Sequence, residues 1–219
     1  MSAQVDLENQ IRTNYNRLVG RIGQAAYESG RYPPDIKLVV VTKNHPIETV
    51  SAVIDAGAEI LGESYADEGV KKINHFSAEN SKDQLKWHMI GHVQSRKASL
   101  VTKHFALLQS LDSVKLARRL NRFAEEQNLR LPTLIQLNVS GEETKFGIPA
   151  WDPSQQPGLM ATISQILNCS HLEIQGLMTI PPFLMILNLP DRIFKNFENF
   201  VMNFNNNSPK RNGKSFRWA

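Results

Sequence analysis

Apolar residues near the start of the chain recur at the spacing of one helix face. They stand three or four positions apart from Leu7 to Ala26, and Gly30 then provides a typical helix end. From Leu38 to Val41 the apolar residues are uninterrupted, which is typical of a strand buried on both faces. We predict an amphipathic helix followed by a first strand that spans about Lys37 to Thr42.

Strand and helix patterns alternate along the rest of the chain. A helix capped by Asn44 and ended by Gly57 should follow the first strand, and another helical pattern runs from Ser113 to Gln127. Further short strands are predicted to begin near Glu59, Lys86, Ala106, Thr133 and Glu173. This alternation indicates a parallel sheet covered by helices, either doubly wound or closed as a (β/α)8 barrel. Both architectures place their chemistry at the carboxyl ends of strands, which is the position of Lys43.

The composition narrows the class of protein. A chain of 219 residues with 41% apolar residues suits a globular fold with a sizeable core. The net charge of +4 suits phosphorylated ligands as well as it suits nucleic acid. The single cysteine, Cys169, excludes an internal disulfide, and the sequence has neither a secretion signal at its start nor an apolar run of membrane-spanning length. We therefore expect a cytoplasmic protein with no membrane partner.

Two polar clusters have residue types that also occur in metal or nucleic-acid sites. His88 and His92 are four positions apart, but Gly91 lies between them in a strand-like pattern, which favours two structural histidines over a metal site. A basic segment contains Arg96, Lys97, Lys103 and His104. It lacks interleaved aromatic residues, so a solvated helix face is the favoured interpretation. The common nucleotide and metal motifs are also absent from the sequence, and we expect neither a metal nor a nucleic acid as ligand.

Lys43 has two interpretations. A lysine at the end of a buried strand usually extends its ammonium group to water. Alternatively, partial burial at the mouth of a barrel would make the amine reactive, because desolvation favours the neutral form of a lysine, which condenses with aldehydes. The position of the residue does not by itself decide between the two.

Six segments resemble, in order, successive blocks of the pyridoxal phosphate homeostasis protein family. They are LVVVTKNHP, AGAEILGESYADEGVKKI, WHMIGHVQSRK, LLQSLDSVKLARRLN, LIQLNVSGEETKFGI and LEIQGLMTIPP. The resemblance covers about Leu7 to Pro182 and implies a TIM-barrel type (β/α)8 fold related to the alanine racemase N-terminal domain. It also implies that Lys43 holds pyridoxal 5′-phosphate as a Schiff base. Implied neighbours of the cofactor are Ser64, Met89 and Met178.

The chain departs from the family pattern in two places. Gly62–Ser64 reads Gly-Glu-Ser where the family has G-E-N, so a hydroxyl replaces an amide near the cofactor. The family's late blocks, of the type S-M-G-M-S and G-S-T-x-V-R-I-G, hold the phosphate and face the pyridine nitrogen, and they are not found here. We therefore expect a shortened or frame-shifted family member with a partial barrel over residues 1–190, and weaker cofactor binding. Residues 191–219 are expected to form a divergent helix and a basic tail, disordered or loosely docked from Asn205 to Ala219.

The leading hypothesis is a non-catalytic protein of vitamin B6 homeostasis that holds pyridoxal phosphate on Lys43. An amino-acid racemase is the main rival, but racemisation needs a second acid/base group, which an additional domain supplies in the two-domain enzymes. A degenerate chain that no longer binds the cofactor is the third possibility. Under the leading hypothesis, other lysines should be modified less than Lys43, among them Lys97, Lys115 and Lys145. Protein partners, pathway and oligomeric state stay open.

Overall fold

The computed structural model describes residues 2–78, 84–180 and 217–218. It divides the chain into two compact units, Met1–Met89 and Ile90–Ala219, which are taken in turn. None of the helices in these described stretches is both long and apolar enough to cross a membrane.

The first unit contains three parallel strands and three α-helices among its described residues. In chain order these are α1 (Ser2–Glu28), a 3-10 turn (Pro33–Asp35), β1 (Val40–Val41), α2 (Ile47–Asp55), β2 (Ile60–Glu63), α3 (Ala66–Ser77) and β3 (Lys86–Met89). β2 lies between the other two strands, with Leu61 opposite Val40 and Ile60 opposite Lys86. The predicted alternation of parallel strands and helices is confirmed, and parallel pairing brings the carboxyl ends of β1, β2 and β3 to one edge.

The amphipathic helix predicted at the start of the chain is confirmed as α1. It packs against α2, where the Tyr15 hydroxyl donates a hydrogen bond to the Gly57 carbonyl at 3.0 Å. Its predicted apolar face is only partly covered, since Ala26 is buried whereas Leu7 and Leu18 are exposed.

Two details of the first strand and its helix were predicted wrongly. β1 is limited to Val40–Val41, because in this unit it pairs with β2 only at these residues. It is also not buried on both faces, since Val41 is 46% exposed. Asn44 does not cap α2. It has a left-handed backbone, with φ of 61°, and lies inside the turn, so that the cap position falls on Pro46. Gly57 follows the end of α2 as expected, with φ of 107°.

The second unit continues the alternation. Its elements are a 3-10 turn (Ser95–Lys97), α4 (Ala98–His104), β4 (Leu107–Leu111), α5 (Val114–Glu126), β5 (Leu131–Asn138), β6 (Ile148–Pro149), a 3-10 turn (Pro153–Gln155), α6 (Gln156–Leu167), β7 (Leu172–Thr179) and β8 (Arg217–Trp218). β5 pairs in parallel with β4, β6 and β7. The helix predicted from Ser113 is confirmed, and the Ser113 hydroxyl accepts a hydrogen bond from the Leu116 N–H at 3.3 Å.

One short segment near the end of the chain pairs with the sheet. Arg217–Trp218 forms a short strand parallel to β7, with Gly176 opposite Arg217. The expectation that the tail from Asn205 to Ala219 is disordered or loosely docked stays a prediction. The other residues of the tail, and the helix-like stretch that follows Pro190, lie outside the described residues, so the boundary at residue 190 stays a prediction.

Candidate functional site

Lys43 lies in a tight turn directly after β1. The ladder ends with the Thr42 N–H, which donates to the Gly62 carbonyl at 3.0 Å, and the His45 N–H closes the turn on the Thr42 carbonyl at 3.1 Å. Thr42 is buried and Lys43 is exposed. Of the two interpretations of Lys43, the structure therefore agrees with extension to water and not with partial burial, because the turn carries the side chain beyond the end of the strand.

A second lysine, Lys72, is buried beneath this turn. It projects from α3 and is 5% exposed. Its ammonium group donates to the Thr42 carbonyl at 2.6 Å, to Glu63 Oε1 at 2.8 Å and to Glu68 Oε1 at 2.7 Å. Glu68 and Lys72 stand one helical turn apart on α3, which brings both side chains to the same face of the helix.

The two carboxylates extend this network to the backbone of the turn. Glu63, the last residue of β2, is fully buried, and its Oε1 also accepts a hydrogen bond from the Thr42 hydroxyl at 2.6 Å. Its Oε2 is buried and has no hydrogen-bond partner among the described residues. Glu68 Oε1 accepts the Asn44 N–H at 2.8 Å.

The contacts of Glu68 with Lys72 and with the turn affect the pKa of its carboxyl group. Burial acts to raise the pKa of this carboxyl group, but the hydrogen bonds from Lys72 and the Asn44 amide, together with the Lys72 charge, outweigh burial and lower its pKa. Glu68 is therefore held in its charged form, in which it accepts the Asn44 N–H most strongly.

The site consequently offers one accessible primary amine on an anchored turn. No hydrogen bond or ion pair of the Lys43 amine is formed within the part of the chain that the structure describes. Such an amine fits an aldehyde-bearing cofactor such as pyridoxal phosphate, because it can approach the carbonyl carbon without first breaking a contact.

The three residues predicted to adjoin the cofactor also lie near strand ends. Ser64 follows β2 and is half-buried, and Met89 is the buried last residue of β3 in the same unit as Lys43. Met178 is buried near the end of β7 in the second unit. Their roles as neighbours of a cofactor stay predictions.

Sequence analysis missed Lys72, Glu63 and Glu68. A signal was present, since the buried positions of α3 recur at helical spacing and Lys72 occupies one of them. These positions are Ala66, Gly69, Lys72, Ile73 and Phe76. A lysine on the buried stripe of a helix needs charged partners, and the two glutamates nearby provide them.

His88 and His92, the two histidines four positions apart, lie in different surroundings. His88 is half-buried in β3, and burial, reinforced by the charge of Lys86, lowers its pKa to about 4. His92 Nδ1 lies 2.7 Å from Asp112 Oδ2, and its ring stacks on Phe146 with centroids 3.9 Å apart. The described residues contain no cluster of three or more metal-binding side chains.

The basic segment lies on the 3-10 turn before α4 and on α4 itself. Arg96 and Lys103 are exposed, whereas Lys97 and His104 are half-buried. The Arg96 Nε–H donates to Gln94 Oε1 at 2.9 Å. Burial, followed by the charge of Lys103, lowers the pKa of His104. The side chains of this segment thus divide between solvent and the helix surface, and its interpretation as a solvated face stays a prediction.

Comparisons with known proteins agree on the fold and the family. The family model for the alanine racemase N-terminal domain matches residues 9–211. The pyridoxal phosphate homeostasis protein of Haemophilus influenzae is 40% identical over 172 residues, which cover 78% of this chain and 69% of that protein.

Two solved structures are similar in fold and, at a lower level, in sequence. A protein from Bifidobacterium adolescentis superposes with a TM-score of 0.76 at 26% identity, covering 93% of this chain and 83% of the other. PipY of Synechococcus elongatus, solved with pyridoxal phosphate bound, superposes with a TM-score of 0.61 at 27% identity, covering 83% of this chain and 77% of PipY. The chain belongs to the alanine racemase N-terminal domain family and, within it, to the pyridoxal phosphate homeostasis proteins.

Proposed function

We propose that this chain binds pyridoxal 5′-phosphate in the cytoplasm, takes part in vitamin B6 homeostasis, and uses Lys43 to hold the cofactor. Family membership supports the cofactor, and PipY, a structural relative, contains it. The observation that carries the proposal for this chain is the accessible Lys43 amine on a turn anchored at the carboxyl end of β1. Parallel α/β folds place their binding sites at that edge.

The chemistry is a reversible condensation. Attack of the Lys43 amine on the aldehyde carbon forms one carbon–nitrogen double bond and releases one water, and hydrolysis reverses both changes. The chain holds the backbone in place before and after Lys43.

We further propose that the protein is a carrier rather than an enzyme. A carrier needs one amine that binds and releases the aldehyde, whereas racemisation needs a second acid/base group on the other side of the cofactor. Incubation of the loaded protein with L-alanine should therefore give no D-alanine. Steady formation of D-alanine, lost on substitution of Lys43, would show a racemase instead.

Labelling of the lysines tests the proposed role of Lys43. The protein is incubated with pyridoxal phosphate, reduced with borohydride and digested for peptide mass mapping. Lys43 should carry most of the added mass, and much less should be found on Lys97, Lys115 and Lys145. Lys43→Ala should remove the specific label, whereas Lys37→Ala, a change of another exposed lysine next to the same strand, should leave it intact. A Lys43→Ala variant that loads as well as the parent would overturn the proposal.

A further inference from the structure

We propose that Lys72 is a positioning residue for Lys43, which it fixes by binding the backbone on both sides of that residue. This inference rests on the proposed function of Lys43, since a positioned amine matters only if the amine reacts. The observation behind it is that the buried Lys72 ammonium is joined to the peptide group before Lys43 and, through Glu68, to the peptide group after it.

These contacts form a clamp, which consists of the Lys72 ammonium group, the Glu68 carboxylate and the backbone groups of Thr42 and Asn44 that they bind. On one side, Lys72 Nζ donates to the Thr42 carbonyl at 2.6 Å. On the other, Glu68 Oε1 accepts hydrogen bonds from both Lys72, at 2.7 Å, and the Asn44 N–H, at 2.8 Å. The Asn44 backbone has φ of 61°, a left-handed conformation that asparagine adopts more readily than most other residues, and these contacts stabilise it. The clamp thereby defines the direction in which Lys43 leaves the turn.

The same geometry assigns different roles to the two lysines. An ammonium group has three N–H donors, and those of Lys72 are matched by the Thr42 carbonyl, Glu63 and Glu68. Lys72 is therefore buried and fully hydrogen-bonded, which makes it a poor nucleophile. Lys43, which follows Thr42 directly, is exposed and has no such partners within the described residues.

A role confined to stability would predict a different outcome from a positioning role. Loss of packing alone would lower the melting temperature without a selective effect on the turn. Loss of positioning would change two local properties of the folded protein, namely amide exchange at Asn44 and the reactivity of Lys43 relative to another exposed lysine such as Lys37.

The test compares Lys72→Met with Lys71→Met, its exposed neighbour on α3. Amide hydrogen exchange is followed at Asn44, and labelling by formaldehyde with cyanoborohydride is followed at Lys43 relative to Lys37, without cofactor. In Lys72→Met we expect about tenfold faster exchange at Asn44, the change that corresponds to losing one charge-assisted hydrogen bond, and an altered labelling ratio. Lys71→Met should match the parent in both measurements.

Two further variants keep the test decisive if Lys72→Met does not fold. Glu68→Ala removes the acceptor of the Asn44 N–H from a partly exposed position and leaves the Lys72–Glu63 pair in place. The double variant Lys72→Met with Glu63→Gln removes both buried charges together. Each should accelerate Asn44 exchange as Lys72→Met does. Unchanged Asn44 exchange and labelling ratio in these folded variants would overturn the proposal.

Failure of this proposal can be distinguished from failure of the proposed function. If the parent does not load pyridoxal phosphate on Lys43, the function is wrong, while exchange and formaldehyde labelling still report on the clamp. If the parent loads and the folded variants load at the same rate and to the same extent, Lys43 keeps its function and the positioning role of Lys72 is wrong. Slower loading in Lys72→Met and Glu68→Ala, with normal loading in Lys71→Met, is the expected result.

Discussion

The turn after β1 and the loop after β5 both follow the carboxyl end of a parallel strand, and each is organised by one buried polar side chain. In the first unit that side chain is Lys72, whose partners include two carboxylates. In the second unit it is Asn138, which is 7% exposed and carries no charge. The comparison separates two ways of fixing a loop, by buried charge and by neutral hydrogen bonds.

Asn138 holds its loop through both ends of its amide. Its Oδ1 accepts the N–H groups of Ser140 at 3.2 Å and Gly141 at 3.1 Å. Its Nδ2 donates to the carbonyls of Glu142 at 3.0 Å and Lys145 at 3.2 Å. Apart from the Ser140 hydroxyl, which also donates to Oδ1 at 3.2 Å, the partners are backbone groups near the surface, so removal of the amide would leave groups that water can reach. Removal of Lys72 would instead leave a carboxylate in the interior, which is much more costly.

The largest expected effect comes from breaking the charged arrangement. Lys72→Met should lower the free energy of unfolding by about 3–5 kcal/mol, because the fully buried Glu63 would lose its ion-pair partner. The measurement is urea denaturation at pH 7, and Lys71→Met should stay within about 0.5 kcal/mol of the parent.

The double variant sharpens this prediction. Adding Glu63→Gln to Lys72→Met removes the uncompensated charge and should recover part of the lost stability. If the double variant is less stable than Lys72→Met, the cost does not arise from an unpaired carboxylate, and the contrast with Asn138 loses its basis.

The second largest effect should come from Gly147, at the end of the loop after β5. Its φ is 125°, and an added Cβ would lie 2.6 Å from the Asn138 backbone nitrogen. Gly147→Ala should therefore cost about 3 kcal/mol, since the backbone of β5 cannot move away from the new methyl group. Gly158→Ala on α6, where an added Cβ meets nothing within 4 Å, is the matched control. Equal stability of the two variants would show that the loop tolerates another backbone conformation.

Features that depend on local sequence were predictable, whereas features that depend on contacts between distant segments were not. The alternation of strands and helices follows from local apolar periodicity, which is why β2, β3, β4, β5 and β7 begin close to the expected positions. Lys43 was placed correctly at the end of β1, since its position depends only on the apolar run before it. Its exposure agrees with the interpretation that the ammonium group extends to water. The left-handed turn at Asn44 was not predicted, because an asparagine before a helix also suits a cap.

The Lys72 network could not be deduced with the same certainty. Its members come from the turn after β1, from β2 and from α3, and their contacts depend on strand pairing that brings Thr42 beside Gly62. Periodicity marks Lys72 as an unusual buried position, but it does not identify the backbone carbonyl that the ammonium binds. The shortness of β1 has a similar origin, because the length of a ladder depends on its neighbours as well as on its own sequence.

A smaller effect is expected from replacing Asn138, the uncharged residue that holds the loop after β5. Asn138→Ala should cost about 2 kcal/mol, since hydrogen bonds to four backbone groups are lost but solvent can replace some of them. Amide exchange should become faster at Ser140 and Gly141. Asn74→Ala, at an exposed position on α3, should change neither stability nor that exchange appreciably. A loss as large as that of Lys72→Met would contradict the distinction between charged and neutral centres.

The smallest expected effect is a change of stability with pH, which depends on His88. Burial lowers the pKa of this histidine to about 4 in the folded protein, below its usual value of 6.5, so the unfolded chain binds the proton first. Its contribution to stability is complete above pH 6.5 and is lost progressively as the pH falls from 6.5 to about 4. Because the ring is partly screened by solvent, we expect a loss of about 1–2 kcal/mol between pH 7 and pH 5.

Urea denaturation across that range would measure this loss. His88→Gln, which is neutral throughout, should give a flatter curve than the parent. Asn138→Ala should give a curve parallel to that of the parent, because an amide binds no proton in this range. Equal slopes for the parent and His88→Gln would show that His88 keeps its ordinary affinity for protons in the fold. In that case any acid sensitivity of the first unit would have to come from another group such as Glu68, whose pKa is lowered and which should titrate only at lower pH.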